Sequence, residues 1–210
     1  MKKALVIGGT GLIGRQLIDL LLADERYSVI ALVRKPLAIT HEKLLQVAFN
    51  FDNPDKQEVA ADEIFCCMGT TIKAAGSKPA FYKVDYEYVL TIAQAGYSNG
   101  VKKFALVSSM GANKNSNIFY SKTKGAIEAA VALIGYEGLF IFRPSILLGR
   151  RTKFRMGETI GKFLMASFAF ALPKKYKPIK TSQVAKAMVA SMNSGKTGVH
   201  ILESDSIAAF

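Results

Sequence analysis

Hydrophobic and polar positions follow each other along the chain in the order of a strand, a helix and a second strand. A short apolar run at residues 3–7 ends in glycines, and residues 12–22 then carry Leu and Ile at helical spacing. Tyr27–Val33 is a second apolar run of strand length. A unit of this kind has parallel strands and a right-handed crossover, and its sheet is covered on both faces.

The same alternation continues to the end of the chain. It predicts further strands at residues 44–49, 63–67, 103–107, 139–142 and 198–202, with helices at 79–98, 119–134, 158–170 and 181–192. The length suits one hydrophobic core. We therefore predict an α/β fold: a Rossmann-type doubly wound parallel sheet in a single domain over residues 1–210, with a small C-terminal cap region at 150–180 on the substrate side.

The glycines after the first strand carry candidate chemistry. Gly8, Gly11 and Gly14 form a G-x-x-G-x-x-G variant of the dinucleotide fingerprint. Glycine permits the backbone angles of the tight turn and lets the main chain approach a pyrophosphate closely, while the N–H groups at the helix start face the anion. Because the motif lies between a strand and an amphipathic helix, it predicts dinucleotide binding.

The residue after the second strand distinguishes the two nicotinamide cofactors. An acidic side chain there binds the adenosine ribose of NAD, whereas an arginine pairs with the 2′-phosphate of NADP. Arg34 occupies this place, twenty positions after Gly14, and Lys35 follows it. NADP is therefore favoured over NAD. The alternative is that both cations are simply exposed to solvent at the end of the strand and bind no cofactor.

A tyrosine and a lysine on one helix form the candidate catalytic pair. Tyr120 and Lys124 are four residues apart, so both side chains lie on one helix face. A phenol is a poor acid or base at neutral pH, and a neighbouring ammonium favours its ionised form. Ser108 and Ser109 end the preceding strand at the edge of the sheet where ligands bind, and either hydroxyl is a candidate to hold a substrate carbonyl.

These features together resemble the short-chain dehydrogenase/reductase superfamily, and specifically its small atypical branch of Tat-interacting-protein oxidoreductase-like and NmrA-like proteins. Besides the residues above, the resemblance rests on Met68 to Thr71, Ala75 to Ser77, Val84, Asp85, Val107, Gly111, Ala112, Gly125, Glu128, Phe142 to Pro144 and Leu147 to Arg150. It implies that Tyr120 is the catalytic acid and base, that Lys124 orients it and binds the nicotinamide ribose, and that Ser109 assists. Ser108 is the alternative serine and a further cofactor contact.

The resemblance also implies a set of cofactor contacts. They are Thr10, Gly11, Leu12 and Ile13 at the pyrophosphate, flanked by Gly8 and Gly14; Arg34 at the adenosine phosphate; Met68 and Gly69 on the adenosine side; and Leu147 and Arg155 on the nicotinamide side. The implied function is an NADP-dependent oxidoreductase that acts on a carbonyl or alcohol of a small, apolar substrate. The alternative is a non-catalytic NADP(H)-binding protein with a redox-sensing or regulatory role.

Composition narrows the remaining function classes. The net charge of +12 and the basic stretch at residues 174–180 are compatible with nucleic acid, but one aromatic among lysines is not a recognition module, so we expect a solvated surface and no nucleic-acid partner. His41 and His200 have no metal ligands at suitable spacing, and no metal is expected. Without a signal-peptide pattern or an apolar run long enough to span a membrane, the sequence predicts a cytoplasmic chain. It leaves the oligomeric state open.

Overall fold

A computed structural model of the chain describes residues 1–149, 173 and 176–210. The strands are β1 (Lys2–Ile7), β2 (Tyr27–Val33), β3 (Leu44–Ala48), β4 (Glu63–Cys66), β5 (Lys103–Val107), β6 (Gly138–Arg143), β7 (Leu147–Leu148), β8 (Ile179–Lys180) and β9 (Gly198–Glu203). Among these described residues, seven strands form one parallel sheet in the order β3-β2-β1-β4-β5-β6-β9, while β7 and β8 pair separately. The predicted Rossmann-type α/β class is confirmed.

The helices are α1 (Leu12–Ala23), α2 (Ile72–Ala75), α3 (Lys78–Tyr82), α4 (Tyr88–Ser98), α5 (Phe119–Ala132), α6 (Thr181–Met192) and α7 (Ser204–Ala208). A 3₁₀ turn spans Lys56–Glu58, and a wider π turn, Lys83–Glu87, joins α3 to α4. The single helix predicted at residues 79–98 is therefore interrupted in its middle. The helix predicted at 158–170 and most of the proposed cap at 150–180 lie outside the described residues, and none of the described helices is long and apolar enough to cross a membrane.

Two apolar layers cover the sheet. On one face, α1 and α6 pack against side chains of β1, β2, β5 and β6, and Leu17, Leu21 and Met188 are fully buried there. On the other face, α4 and α5 pack against the alternate side chains of the same sheet, including the buried Phe104 and Ile141. Because both faces are covered, the central strands are apolar almost throughout: the last four residues of β1 and all four of β4 are buried.

The strand order reverses between β1 and β4. The chain runs from β1 outward through β2 to β3 and then returns to β4 on the other side of β1. In open parallel sheets a crevice forms at this reversal, outside the carboxyl ends of the strands. The glycine turn follows β1 at this edge, and Cys67 to Thr70 follow β4 beside it.

Candidate functional site

The glycine turn after β1 is too tight for other side chains at two of its positions. Gly8 has a φ of +79°, and a Cβ there would lie 2.5 Å from the carbonyl oxygen of Cys67. A Cβ at Gly14 would collide with the carbonyl oxygen of Gly8, and the Gly11 N–H donates a hydrogen bond to that same oxygen at 2.9 Å. Because Gly8 and Gly14 have no side chains, the start of α1 can lie close to the ends of β1 and β4.

The start of α1 is left open for an anion. Gly11 is the N-cap residue and provides no side-chain cap, so the first N–H groups of the helix lack the partner that Ser or Asp gives elsewhere. Thr10 and Gly11 are exposed. This cradle fits a pyrophosphate, and the residues that would hold it are Thr10, Gly11, Leu12 and Ile13.

The turn after β4 connects the glycine turn to the candidate catalytic helix. A Cβ at Gly69 would lie 3.3 Å from Asp85 Oδ1 and 3.5 Å from Lys124 Nζ. The Thr70 N–H donates a hydrogen bond to Asp85 Oδ2 at 2.8 Å. Met68 and Gly69 therefore lie between the glycine turn and Lys124, and their role as cofactor contacts stays a prediction.

Lys124 is buried and forms an ion pair with a buried carboxylate. Its Nζ lies 2.7 Å from Asp85 Oδ1, and both side chains are almost inaccessible to solvent. Burial lowers the pKa of Lys124, but the negative charge of Asp85 and the nearby phenol of Tyr120 outweigh burial, and the pKa ends above the usual value for lysine. Lys124 is therefore an ammonium at neutral pH.

Tyr120 lies one helical turn before Lys124 on α5 and is half-buried. Its ring stacks on that of the fully buried Phe81, with 5.3 Å between centroids and 30° between ring planes. No side chain or backbone group of the described residues hydrogen-bonds the Tyr120 hydroxyl. Packing on Phe81 thus fixes the orientation of the ring.

The two serines after β5 differ in their surroundings. The Ser108 Oγ is buried and has no hydrogen-bond partner among the described groups, whereas the half-buried Ser109 bonds weakly to the Met110 carbonyl at 3.4 Å. The Ser108 N–H donates a hydrogen bond to the Phe142 carbonyl, so the pairing of β5 with β6 continues to this residue. Alternation along the strand therefore puts the Ser108 side chain on the face of the sheet that α5 covers.

Arg34 is exposed at the end of β2, near a carboxylate that sequence reasoning did not single out. Asp52 lies 2.5 Å from Lys83 Nζ and accepts a hydrogen bond from the Tyr88 hydroxyl at 2.6 Å. These two contacts, together with the charge of Arg34, lower the pKa of Asp52. Among the described residues, Asp52 is thus influenced by two cations, Arg34 and Lys83.

The remaining predicted contacts divide between described and undescribed residues. Leu147 is half-buried in β7, and Gly149 just after it would place a Cβ 3.4 Å from Leu12 Cδ1 at the start of α1. This strand therefore lies beside the phosphate cradle. Arg155 lies outside the described residues.

Asp85 is the main site residue to which sequence reasoning gave no role. It lies four residues after Phe81 and four before Val89, both buried, so helical spacing puts its carboxylate on an apolar face. An acidic residue at such a position signals a buried partner. The partner itself was not identifiable, because Lys124 is distant in sequence.

The fold resembles solved structures of nucleotide-sugar enzymes. A UDP-N-acetylglucosamine 4-epimerase from Methanobrevibacter ruminantium M1 superimposes with a TM-score of 0.74 over 96% of this chain and 76% of that one, at 19% sequence identity. At this identity the likeness concerns the fold alone.

Two relatives match over nearly their whole length. Protein HTATIP2 of Rattus norvegicus is 32% identical over 98% of this chain and 88% of its own. The mitochondrial protein FMP52 of Candida albicans is 32% identical over 92% of this chain and 89% of its own. Because several fungal relatives are named as mitochondrial proteins, the prediction of a cytoplasmic chain is wrong.

A family model described as NAD(P)H-binding matches residues 8–133, a stretch that begins at the first glycine of the turn and ends just after α5. It contains Gly8, Gly69, Asp85, Tyr120 and Lys124. The chain therefore belongs to this NAD(P)H-binding family and is related to protein HTATIP2.

Proposed function

We propose that the chain is an NADP-dependent oxidoreductase that moves a hydride to or from the carbonyl or alcohol group of a small, apolar substrate. One observation carries this proposal: the Tyr120 hydroxyl, which has no hydrogen-bond partner among the described residues, lies one turn from a charged Lys124, which itself lies against the Gly69 turn beside the phosphate cradle. Binding of the dinucleotide and proton transfer would thus take place in one crevice.

The residues divide the chemistry between them. The nicotinamide, when bound, supplies or accepts the hydride. The Tyr120 hydroxyl donates its proton to the substrate oxygen during reduction and accepts one during oxidation. The Lys124 ammonium stabilises negative charge on Tyr120, and a serine hydroxyl at the end of β5, from Ser109 or Ser108, donates a hydrogen bond to the same substrate oxygen.

Two features support an apolar substrate. Tyr120 is packed on Phe81, whose other ring neighbour, Phe119, lies 6.1 Å away between centroids. Ile118, just before α5, is 67% exposed. An exposed aliphatic side chain two residues before Tyr120 suits an apolar ligand.

Arg34 supports NADP as the cofactor. It is exposed at the carboxyl end of β2, where an arginine meets a 2′-phosphate, and Lys83 adds a second cation through their shared neighbour Asp52. The 2′-phosphate of NADP would be a second anion, besides the Asp52 carboxylate, for the cations Arg34 and Lys83 to bind.

Replacing Tyr120 with phenylalanine tests the proposed chemistry. Tyr120→Phe keeps the ring on Phe81 but removes the proton that is transferred, so NADPH-linked turnover of aldehydes, ketones or quinones should fall by about 10²- to 10⁴-fold. The dissociation constant of NADPH, measured by fluorescence titration, should change by less than about threefold.

Tyr97→Phe is the matched control, because Tyr97 is an exposed tyrosine near the far end of α4. It should leave turnover unchanged. If the parent protein binds NADPH and turns over no substrate of the panel, the oxidoreductase proposal is contradicted and the redox-sensing or regulatory alternative is favoured.

A further inference from the structure

Asp85 is a fully buried charge on the apolar face of a helix. Burying a carboxylate is unfavourable unless its lost hydration is replaced by charges and hydrogen bonds. Two groups replace it here: Lys124 Nζ at 2.7 Å from one oxygen and the Thr70 N–H at 2.8 Å from the other. The carboxylate therefore joins α5 to the turn after β4.

The backbone around Asp85 is shaped for this contact. Lys83–Glu87 forms a π turn, an energetically poorer arrangement than an α-helix that occurs often at functional sites. Gly69 lies opposite this turn, and because it has no side chain its backbone comes close to both Asp85 and Lys124. A buried ion pair is seldom more stabilising than apolar side chains of equal volume, so stability alone does not account for the pair.

We propose that Asp85 is a positioning residue that keeps Lys124 charged and fixed beside the Gly69 turn. This inference rests on the proposed function, because the position of Lys124 matters for binding and turnover only if a dinucleotide occupies the crevice. Among the described residues, the ionisable groups that face Lys124 are Asp85 from the π turn, Tyr120 from its own helix and the Cys66 thiol from β4. Of these, only Asp85 is a carboxylic acid.

The test is the protonation of Lys124 in the Asp85→Asn variant. Asparagine has nearly the same shape and still accepts the Thr70 hydrogen bond, but it carries no charge. In protein labelled with ¹⁵N-lysine, the ammonium signal of Lys124, assigned with Lys124→Met, is followed by NMR as the pH rises. In the parent it should persist above the usual lysine pKa, and in Asp85→Asn it should disappear at least about one pH unit lower.

Cofactor affinity provides the second measurement. With Lys124 less charged and no longer held at Gly69, Asp85→Asn should bind NADPH about tenfold more weakly. Glu63→Gln is the matched control, since Glu63 is also buried and paired with a lysine, but it lies at the opposite end of β4. Glu63→Gln should leave both the Lys124 signal and the NADPH affinity unchanged.

Each outcome decides something. Equal titration of Lys124 in the parent and in Asp85→Asn, or a parent signal lost below the usual lysine pKa, would overturn the role of Asp85; the second result needs no variant to fold. If the parent neither binds NADPH nor turns over substrate, the proposed function fails, while the titration of Lys124 still decides whether Asp85 holds its charge.

Discussion

The two cations proposed to meet the dinucleotide are placed very differently. Arg34 is exposed at a strand end, whereas Lys124 is only 5% exposed and paired with Asp85. A change at Arg34 therefore alters the electrostatics of the crevice with little effect on folding. A change at Lys124 leaves a buried carboxylate without its counter-ion and affects stability as well.

Arg34→Asp tests the choice of cofactor. The substitution removes a cation from the proposed 2′-phosphate position and adds a repelling carboxylate, so NADPH should bind about 10- to 100-fold more weakly. NADH lacks that phosphate, and its affinity should stay within about threefold. Both dissociation constants are measured by fluorescence titration.

Lys196→Asp is the control for this experiment. It changes the net charge by the same amount at an exposed position before β9, at the opposite edge of the sheet. It should leave the ratio of the two affinities unchanged. Equal weakening of NADH and NADPH by Arg34→Asp would argue against the assignment of NADP.

Single residues were predictable wherever local spacing sets their position. The four-residue interval puts Tyr120 and Lys124 on one face of α5, and the glycine spacing sets the turn after β1. Asp85 and Asp52 were given no role, because their partners lie on other elements and tertiary packing alone brings them together.

At the scale of elements, α5 serves both the site and the fold along one face. Four residues beyond Lys124, the buried Glu128 accepts two hydrogen bonds from the guanidinium of Arg143 at the end of β6, at 3.0 and 2.6 Å. Arg143 also donates to Glu203 at the end of β9, at 3.0 Å. This network fixes the helix of the candidate catalytic pair to the sheet.

Glu128→Ala should be strongly destabilising. The Glu128 side chain is 6% exposed and that of Arg143 20%, so the substitution leaves a largely buried guanidinium with only the more exposed Glu203 as its carboxylate partner among the described residues, and it should lower the free energy of unfolding by about 3 kcal/mol. Glu203→Ala removes a partner that is 38% exposed and should lower it by about 1 kcal/mol or less. Urea unfolding measures both values, and equal losses would contradict this ranking.

The elements themselves were largely predictable, because apolar runs bounded by glycines mark the strands of a sheet covered on both faces. The π turn at Lys83–Glu87 was not, because its sequence has the same helical periodicity as its neighbours. The turn carries Asp85, whose partners Lys124 and Thr70 lie on other elements that periodicity does not record.

Across the whole molecule, the two apolar layers also bury ionisable side chains. Tyr136 packs in the layer of α4 and α5, and its hydroxyl donates a hydrogen bond to the Ala93 carbonyl at 2.6 Å. Burial raises the pKa of Tyr136 well above its usual range. Its phenol therefore stays neutral in the folded protein at pH values at which it ionises in the unfolded chain.

This difference predicts alkaline destabilisation. The stabilising contribution of a neutral Tyr136 is complete below the unfolded pKa near 10 and decreases as the pH rises beyond it, by about 1 kcal/mol between pH 10 and pH 11. Tyr136→Phe should be less stable at pH 8, because the Ala93 carbonyl loses its donor, but should lose correspondingly less stability between pH 10 and pH 11. Urea unfolding at the three pH values checks this, and identical slopes for parent and variant would count against it.

The packing of α1 against α6 has a consequence for how the protein is made. The phosphate cradle is translated long before Thr181–Met192, the helix that covers the apolar face of α1. While the ribosome still holds those residues, Leu17 and Leu21 lack their covering layer and the cradle has no firm support. A dinucleotide therefore meets a finished binding site only after the chain has been synthesised beyond Met192.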